Sequence, residues 1–251
     1  MTPMNKNRFY YRLRPMCDNT LEELQKSYLW FSKRQGFRDK YDANIGAFLE
    51  DTDQIYNSLL YLFKEEDINE FVKRMDKIGI CCFTKSLPKR KYLHKFPNGK
   101  HSICIEYEVK VLEDWFLNHY GIYNPFKDIE YSECPTKIEA DGEYHILMEE
   151  KENGRIYESV RALVHSPRDF EMLIFLLLTR LHSKYHKQNE TRIIWGGFHL
   201  NDFKTSEQGY KVTVPNEAIS SIFVYKDLAD SSKYLSQLLE IPSISNIIKV
   251  I

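Results

Sequence analysis

The chain has 251 residues with 35 Lys and Arg against 36 Asp and Glu, and 43% of its residues are hydrophobic, including 17 Tyr and 15 Phe. A chain of this length can bury a core without metal or disulfide staples, and its net charge of −1 argues against a main role in non-specific nucleic-acid binding, which needs excess Lys and Arg. Five Cys without a Cys-x-x-Cys pair and the short apolar runs argue against a disulfide scaffold, a structural zinc site and a membrane span, so we expect a soluble cytoplasmic protein.

The N-terminal half begins with an aromatic, alternating segment that predicts a strand over residues 8–14, closed by Pro15. Thr20 and Glu23 have the spacing of a capping box, which predicts a short helix over residues 21–27. The next predicted elements, in chain order, are a strand over 28–32, a polar loop over 33–44, helices that begin near Asp51 and Asp67, a strand over 80–84 and a basic loop over 85–100.

In the C-terminal half, the apolar pattern over residues 169–185 predicts a buried helix, and residues 187–195 then predict a strand. The other predicted elements are a strand over 102–108, a helix over 109–120 ended by Gly121, a hairpin turn at Asn153-Gly154, strands over 212–214 and 220–225, and a helix over 231–239. Because the chain shows no repeat and no long linker, we expect one mixed α+β domain over residues 1–251.

A polar row follows the predicted buried helix. Residues two apart in a strand point to the same face, so Gln188, Glu190 and Arg192 are predicted to share one face. Such a row is typical of an edge strand whose outer face is in water. It also suits a site in which a carboxylate, beside an amide and a guanidinium, holds a ribose hydroxyl and stabilises a developing positive charge. The spacing does not choose between these interpretations.

Arg12 and Arg14 are predicted to share one face of the first strand. Because a guanidinium presents a planar fork of donors that matches phosphate oxygens, this pair suits a pyrophosphate, although an ordinary salt bridge accounts for it equally. Ser32 ends the second predicted strand, where it could orient a glutamate or cap the following loop.

The basic loop over 85–100 holds six Lys or Arg and no acidic residue, with Tyr92 and Phe96 among them. Positive charge with aromatic rings is what single-stranded nucleic acid binds, whereas a solvated loop balanced by acids elsewhere is the plainer interpretation. The candidate nucleic-acid-binding residues are Lys89, Arg90, Lys91 and Lys95. No metal-ligand spacing is found, and a metal-dependent nuclease is indicated merely by Glu106, Glu108 and Asp114, which lie near one another in sequence.

Taken in order, these segments resemble a bacterial family that is defined as a domain of unknown function. The matching segments are Tyr11-Arg12-Leu13-Arg14, Leu29-Trp30-Phe31-Ser32, Phe37-Arg38-Asp39-Lys40-Tyr41, Cys82-Phe83-Thr84, Tyr92 to Phe96, Ser102 to Tyr107, Tyr185 to Arg192, and Pro215 to Ile222. The chain departs from the family pattern at Arg38, Lys40, Leu93, Tyr185 and Gln188.

The order of an arginine strand, an aromatic strand ending in Ser and a late Gln-x-Glu strand is also similar to the mono-ADP-ribosyltransferases. That resemblance implies a largely antiparallel split sheet flanked by helices, and NAD as a substrate. It implies that Glu190 is catalytic, that Ser32 orients it and that Gln188 positions the acceptor, while Arg14, Arg12 and Phe31 bind NAD. The acceptor is expected to be RNA, DNA or protein. The role implied is a toxin or anti-phage effector, with an antitoxin or chaperone as its partner. No membrane partner is expected. The alternative function is a non-catalytic module that binds nucleic acid or protein through loop 85–100.

Overall fold

The computed structural model describes residues 8–37, 42, 73, 75–96, 102–133, 178–195, 209–227 and 234–251. The strands are β1 Phe9–Pro15, β2 Tyr28–Lys33, β3 Gly79–Thr84, β4 Ser102–Glu108, β5 Phe126–Asp128, β6 Glu130–Ser132, β7 Arg180–His182, β8 Glu190–Trp195, β9 Gly209–Thr213, β10 Ile219–Val224 and β11 Ile248–Val250. The helices are α1 Asp18–Gln25, α2 Val109–Tyr120 and α3 Tyr234–Leu239, with 3₁₀ helices at Arg34–Gly36, Arg90–Lys95, Ser183–Gln188, Asn216–Ala218 and Ser245–Ile247.

The main sheet forks at β3. One edge of β3 pairs with β8 along its whole length, and β5 continues the sheet beyond β8. The other edge is shared, because β1 pairs with Thr84 at one end of β3 and β2 pairs with Gly79 and Ile80 at the other end. From β1 the sheet continues through β4 and β10 to β11, and from β2 it continues to β9. The pairs within this sheet are antiparallel except β10–β11, and β6 and β7 form a separate parallel pair.

Side chains alternate along each strand, and paired residues point to the same side, so the register assigns every strand residue to one of two faces. We call one side the helix face, where the helices α1, α2 and α3 cover the hydrophobic core. Its strand residues include Tyr10, Phe31, Ile105 and Ile193. We call the other side the loop face, where Leu87 and Leu93 pack over a smaller cluster. That cluster includes Tyr11, Leu13, Cys104, Phe223 and Tyr225.

The prediction of a mixed α+β protein with a large, mostly antiparallel sheet is confirmed. Strand β4 and helix α2 have the predicted bounds, and Gly121 ends α2 in the left-handed conformation at φ 68°, which glycine adopts without steric cost. The other strands predicted within the described residues are present, with ends shifted by one to three residues. The helices predicted from Asp51 and Asp67 fall mainly, and the Asn153-Gly154 turn entirely, outside the described residues.

The predicted capping box is wrong. Helix α1 begins at Asp18, before Thr20, whose hydroxyl donates to the carbonyl oxygen of Pro15 at 2.6 Å. Glu23 does not cap the helix, and its carboxylate forms ion pairs with Arg12 and Arg14 instead.

Around residues 178–190 one further prediction fails, and a predicted strand starts later than expected. Residues 180–182 form strand β7 rather than the end of a buried helix, and residues 169–177 lie outside the described part. Strand β8 begins at Glu190 instead of residue 187, because residues 183–188 form a 3₁₀ helix that ends at Asn189 with a left-handed backbone of φ 45°. Gln188 therefore does not belong to the strand. The segment 85–100, predicted as a loop, contains the 3₁₀ helix Arg90–Lys95.

Candidate functional site

The candidate site lies on the loop face at the beginning of β8, around the carboxylate of Glu190. The Nε of Arg192 donates to Glu190 Oε1 at 2.6 Å, which is the short distance expected of a charge-assisted hydrogen bond. The backbone N–H of Glu190 donates to the hydroxyl of Tyr131 at 2.8 Å. These contacts fix both the backbone and the side chain of Glu190, whose side chain remains 11% exposed.

Arg192, which holds the Glu190 carboxylate, is fully buried and is itself fixed by further contacts. Its Nη1 donates to the carbonyl oxygen of Leu178 at 2.8 Å, and its Nη2 forms an ion pair with Asp42 Oδ1 at 2.8 Å. The ring of Phe37 lies over the guanidinium, with its centroid 5.4 Å from Cζ. Four contacts from outside β8, made by Tyr131, Leu178, Asp42 and Phe37, therefore converge on Glu190 and Arg192.

The electrostatics of this centre favour its ionised form. Burial by itself would lower the pKa of the Arg192 guanidinium, but Asp42 and Glu190 outweigh burial and raise that pKa well above its ordinary value. One cation between two carboxylates leaves a net charge of −1 on the centre. The thiol of Cys82 adjoins it, and its pKa is raised well above the ordinary value by burial and by Glu190, so Cys82 remains a neutral thiol.

A second charged centre fills the fork between β1 and β2 on the helix face. Glu23 of α1 forms ion pairs with Arg12 and, at 2.6 Å, with the Nε of Arg14. Arg12 Nη2 donates to the carbonyl oxygen of Trp30 at 2.6 Å, and the N–H of Trp30 donates to Glu23 at 3.4 Å. Because the strands diverge here, these side chains supply hydrogen bonds that the backbone of Trp30 would otherwise lack.

The register places the two centres on opposite sides of the sheet. Tyr11 pairs with Thr84, and Thr84 pairs with Glu190, so these three side chains share the loop face. Arg12 and Arg14 alternate with Tyr11 and point to the helix face, as their contact with α1 requires. Arg12 and Arg14 therefore do not line one face with Glu190, and their role in binding NAD stays a prediction.

The other three predicted site residues belong to different elements from Glu190. Phe31 is fully buried in the core against Phe116 and Trp195, so it is not placed to touch NAD. Ser32 is on the loop face, but it pairs with Ile80, four residues along β3 from the partner of Glu190, which is about 13 Å at 3.3 Å per residue. Gln188 is buried in the 183–188 helix, and the expected row is reduced to Glu190 and Arg192.

The predicted nucleic-acid-binding residues belong to the segment that packs over the loop face, and this segment contacts the 3₁₀ helix Ser183–Gln188 that precedes Glu190. Lys89, Arg90 and Lys91 are exposed, and Arg90 forms an ion pair with Asp227. The side chain of Lys95 is outside the described part. The segment is held by the hydroxyl of Tyr225, which donates to the carbonyl oxygen of Pro88 at 2.8 Å.

A row of polar side chains crosses five strands of the loop face at one register level. Its members, from β10 to β8, are Ser221, Glu106, Tyr11, Thr84 and Glu190. Burial and a hydrogen bond with Glu106 raise the pKa of Tyr11 to about 12. Glu106 is three strands from Glu190, about 14 Å at the usual strand spacing, so the two carboxylates do not form a pair. Within the described ranges, no three His, Cys, Asp or Glu side chains are placed to hold a metal ion.

Asp42, Phe37, Cys82 and Tyr131 were not predicted as site residues. Phe37 begins the segment Phe37-Arg38-Asp39-Lys40-Tyr41, and Asp42 follows it directly. Cys82 begins Cys82-Phe83-Thr84, so the family resemblance singled out both neighbourhoods without giving them a role. Tyr131 stands outside every segment of that resemblance. Tyr131 belongs to the strand Glu130–Ser132, which is too short for an alternating pattern to predict it.

Comparisons of the chain with protein-family models, with curated proteins and with solved structures find no match. Among the described helices, none is both long and apolar enough to span a membrane.

Proposed function

We propose that this chain is an NAD-dependent, ADP-ribosyltransferase-like enzyme that transfers ADP-ribose to a macromolecular acceptor, with Glu190 as its catalytic carboxylate. The observation that carries the proposal is the support of this one side chain. Arg192 and Tyr131 hold Glu190 in place at the beginning of β8, and its side chain is still partly exposed to solvent on the loop face. Preorganised groups of this kind stabilise charge that develops in a transition state.

The chemistry needs a negative centre close to the ribose. When the bond between C1′ of the ribose and the nicotinamide nitrogen breaks, its electron pair leaves with neutral nicotinamide, and the ribose becomes an oxocarbenium-like cation. The nucleophile of the acceptor then forms a bond to C1′ and loses its proton to water. The net charge of −1 at Glu190, Asp42 and Arg192 has the sign that stabilises this cation more than neutral ribose.

The proposal includes an ADP-ribosyltransferase-like fold, and the fork at β3 supports it. A sheet in which β1 and β2 share one edge of β3 and then diverge is a split sheet, as the resemblance to mono-ADP-ribosyltransferases implies. The pyrophosphate, however, is bound from the loop face in this proposal. Arg12 and Arg14 are engaged with Glu23 on the other side, and freeing them would leave Glu23 buried without a cation.

The test is release of nicotinamide from NAD by the purified protein, together with a mass increase on supplied protein or RNA. We expect Glu190→Gln to lower the rate about a hundred- to a thousand-fold, because the side chain keeps its size and loses its charge. Glu217→Gln is the matched control, since Glu217 is an exposed carboxylate on the 3₁₀ helix Asn216–Ala218. Wild-type turnover by Glu190→Gln would rule out its catalytic role.

A non-catalytic binding module is the second candidate, favoured by the exposed Lys89, Arg90 and Lys91. It predicts salt-sensitive binding of a polyanion and no nicotinamide release with any acceptor. Nicotinamide release by the wild-type protein, lost in Glu190→Gln, would contradict it.

A further inference from the structure

A cleft lies on the helix side of the sheet, whereas Glu190 belongs to the loop face. It is bounded by α1, by the 3₁₀ helix Asn216–Ala218 and by the end of α3 with the turn that follows it. Its volume is about 580 Å³. Small-molecule sites have volumes of roughly 300–1,000 Å³, so this cleft has the size of a ligand site. We call it the helix-side cleft.

The walls of the helix-side cleft are fixed to the core and to each other. Leu21 and Ile241 line the cleft and are buried in the core of the helix face. The carbonyl oxygen of Ile241 accepts from the backbone N–H of Ile244 at 3.1 Å, which holds the turn after α3. On the opposite wall, the hydroxyl of Ser27 donates to Asn216 Oδ1 and ties the 3₁₀ helix to the end of α1. The cleft is therefore formed before any ligand enters.

The rim of the cleft is polar, and its groups can both donate and accept hydrogen bonds. It carries three amides, a hydroxyl and a carboxylate, which belong to Gln25, Asn216, Gln237, Ser243 and Glu240. All five residues are exposed. Within the described part of the chain, Asn216 uses its oxygen, and the side chains of the other four form no hydrogen bond. Because an amide or a hydroxyl offers donors and acceptors together, a matching ligand must offer both as well.

The charge of the cleft disfavours phosphorylated ligands and simple amines. All of its lining residues are described, and none of them is Lys, Arg or His, so Glu240 gives the lining a net charge of −1. Lys26 follows Gln25, but its Nζ pairs with Glu22 at 2.8 Å. A phosphate would find no cation here and would meet a like charge. An ammonium would suit the carboxylate, but it has no acceptor for the amide and hydroxyl donors of the rim.

We propose that the helix-side cleft binds a neutral saccharide. Each sugar hydroxyl both donates and accepts, so neighbouring hydroxyls match the amides and the hydroxyl of the rim. The carboxylate of Glu240 accepts from sugar hydroxyls, as an acidic side chain does from the ribose of a dinucleotide. The C–H face of the ring packs on Leu21, Ile241 and Pro242, which are the apolar part of the lining. This site goes beyond the activity proposed for Glu190 and does not depend on it.

The test is saturation-transfer difference NMR of the full chain with glucose, galactose, N-acetylglucosamine and maltose, each at millimolar concentration. We expect saturation transfer to at least one of these sugars, and a titration then gives its Kd. The Kd should rise about tenfold in Glu240→Gln, because hydrogen bonds to a charged acceptor are lost, and about fivefold in Gln237→Ala, which removes a neutral amide. Glu217→Gln is the matched control, since Glu217 is exposed next to Asn216 but does not line the cleft.

The outcomes separate this site from the alternatives and from the proposed enzyme. Absence of saturation transfer to all four sugars, or an equal rise in Kd in Glu217→Gln and Glu240→Gln, would overturn the saccharide site. Tighter binding of glucose 6-phosphate than of glucose, or of putrescine than of any sugar, would overturn it too, since the ligand would then be an anion or an amine. Glu190→Gln should bind the sugar with wild-type affinity, and a loss there would place the sugar at the Glu190 centre instead.

Discussion

Two buried arginine–carboxylate centres lie on opposite faces of the same sheet, and they differ in which partner reaches solvent. At the fork, Glu23 is 1% exposed and is contacted by Arg12 and Arg14, so the carboxylate is enclosed and the net charge is +1. At β8, Arg192 is enclosed, while Glu190 and Asp42 keep 11% and 16% of their side-chain surface and the net charge is −1.

The difference separates a structural ion pair from a candidate site. In the fork, the charged groups bond to one another and to the backbone of Trp30, so the centre completes the sheet. At β8, the buried cation holds a carboxylate at the surface, where a ligand can meet it. A buried arginine–glutamate pair is therefore weak evidence of function by itself. Which member of the pair reaches solvent is what distinguishes a candidate site from a structural ion pair.

The largest effect is expected from Glu23→Gln. This change leaves Arg12 buried, with a second arginine beside it and no compensating charge, and removing one partner of a buried pair costs about 3–5 kcal/mol. Urea unfolding followed by circular dichroism measures the loss in the free energy of unfolding. Glu22→Gln is the control, since Glu22 precedes it in α1 and binds Lys26 and Lys211 at the exposed surface.

We expect Glu22→Gln to leave the unfolding midpoint nearly unchanged. Equal losses in the two variants would show that the fork centre contributes no more than a surface ion pair, and the structural role of Glu23 would then be refuted.

The next largest effects are expected from Arg12→Lys and Arg192→Lys, which we compare with each other. An ammonium keeps the charge but loses the planar fork, so each variant forfeits at least one charged hydrogen bond, worth about 1.5–3 kcal/mol. Both variants should unfold at lower urea. Nicotinamide release per folded molecule should fall in Arg192→Lys, because Glu190 is no longer held, and should be unchanged in Arg12→Lys.

A fall of equal size in both variants would break the distinction between the centres. Both rates are measured below the onset of unfolding of the weaker variant, so that a lower rate reports the site rather than lost protein.

Much of the fold could be predicted because it depends on local pattern. The alternation over residues 102–108 and the amphipathic helix with Gly121 at its end each lie within one element, so their bounds were confirmed. The late strand was extended too far, because the polar alternation continues through Gln188. The left-handed backbone of Asn189 interrupts it, and Asn adopts that conformation more readily than most residues.

The site could be predicted in part, because alternation indicates which residues share a face but not which face it is. It correctly put Arg12 with Arg14, and Glu190 with Arg192. That these pairs face opposite ways depends on the register from Tyr11 through Thr84 to Glu190, which joins three distant strands. Asp42 and Tyr131 reach the centre in the same manner, through long-range packing that leaves no local signal.

The smallest effect, and the sharpest test of the two faces, is expected from Arg14→Met. Arg14 is 18% exposed and is the second cation on Glu23, so its loss leaves the neutral Arg12–Glu23 pair intact. A partly exposed ion pair contributes about 1 kcal/mol or less, and Met can replace much of the apolar stem, so the unfolding midpoint should hardly move. If NAD is bound from the loop face, its KM stays at the wild-type value. A tenfold rise in KM, about 1.4 kcal/mol of lost binding, would put Arg14 in the NAD site and show that the two faces act together.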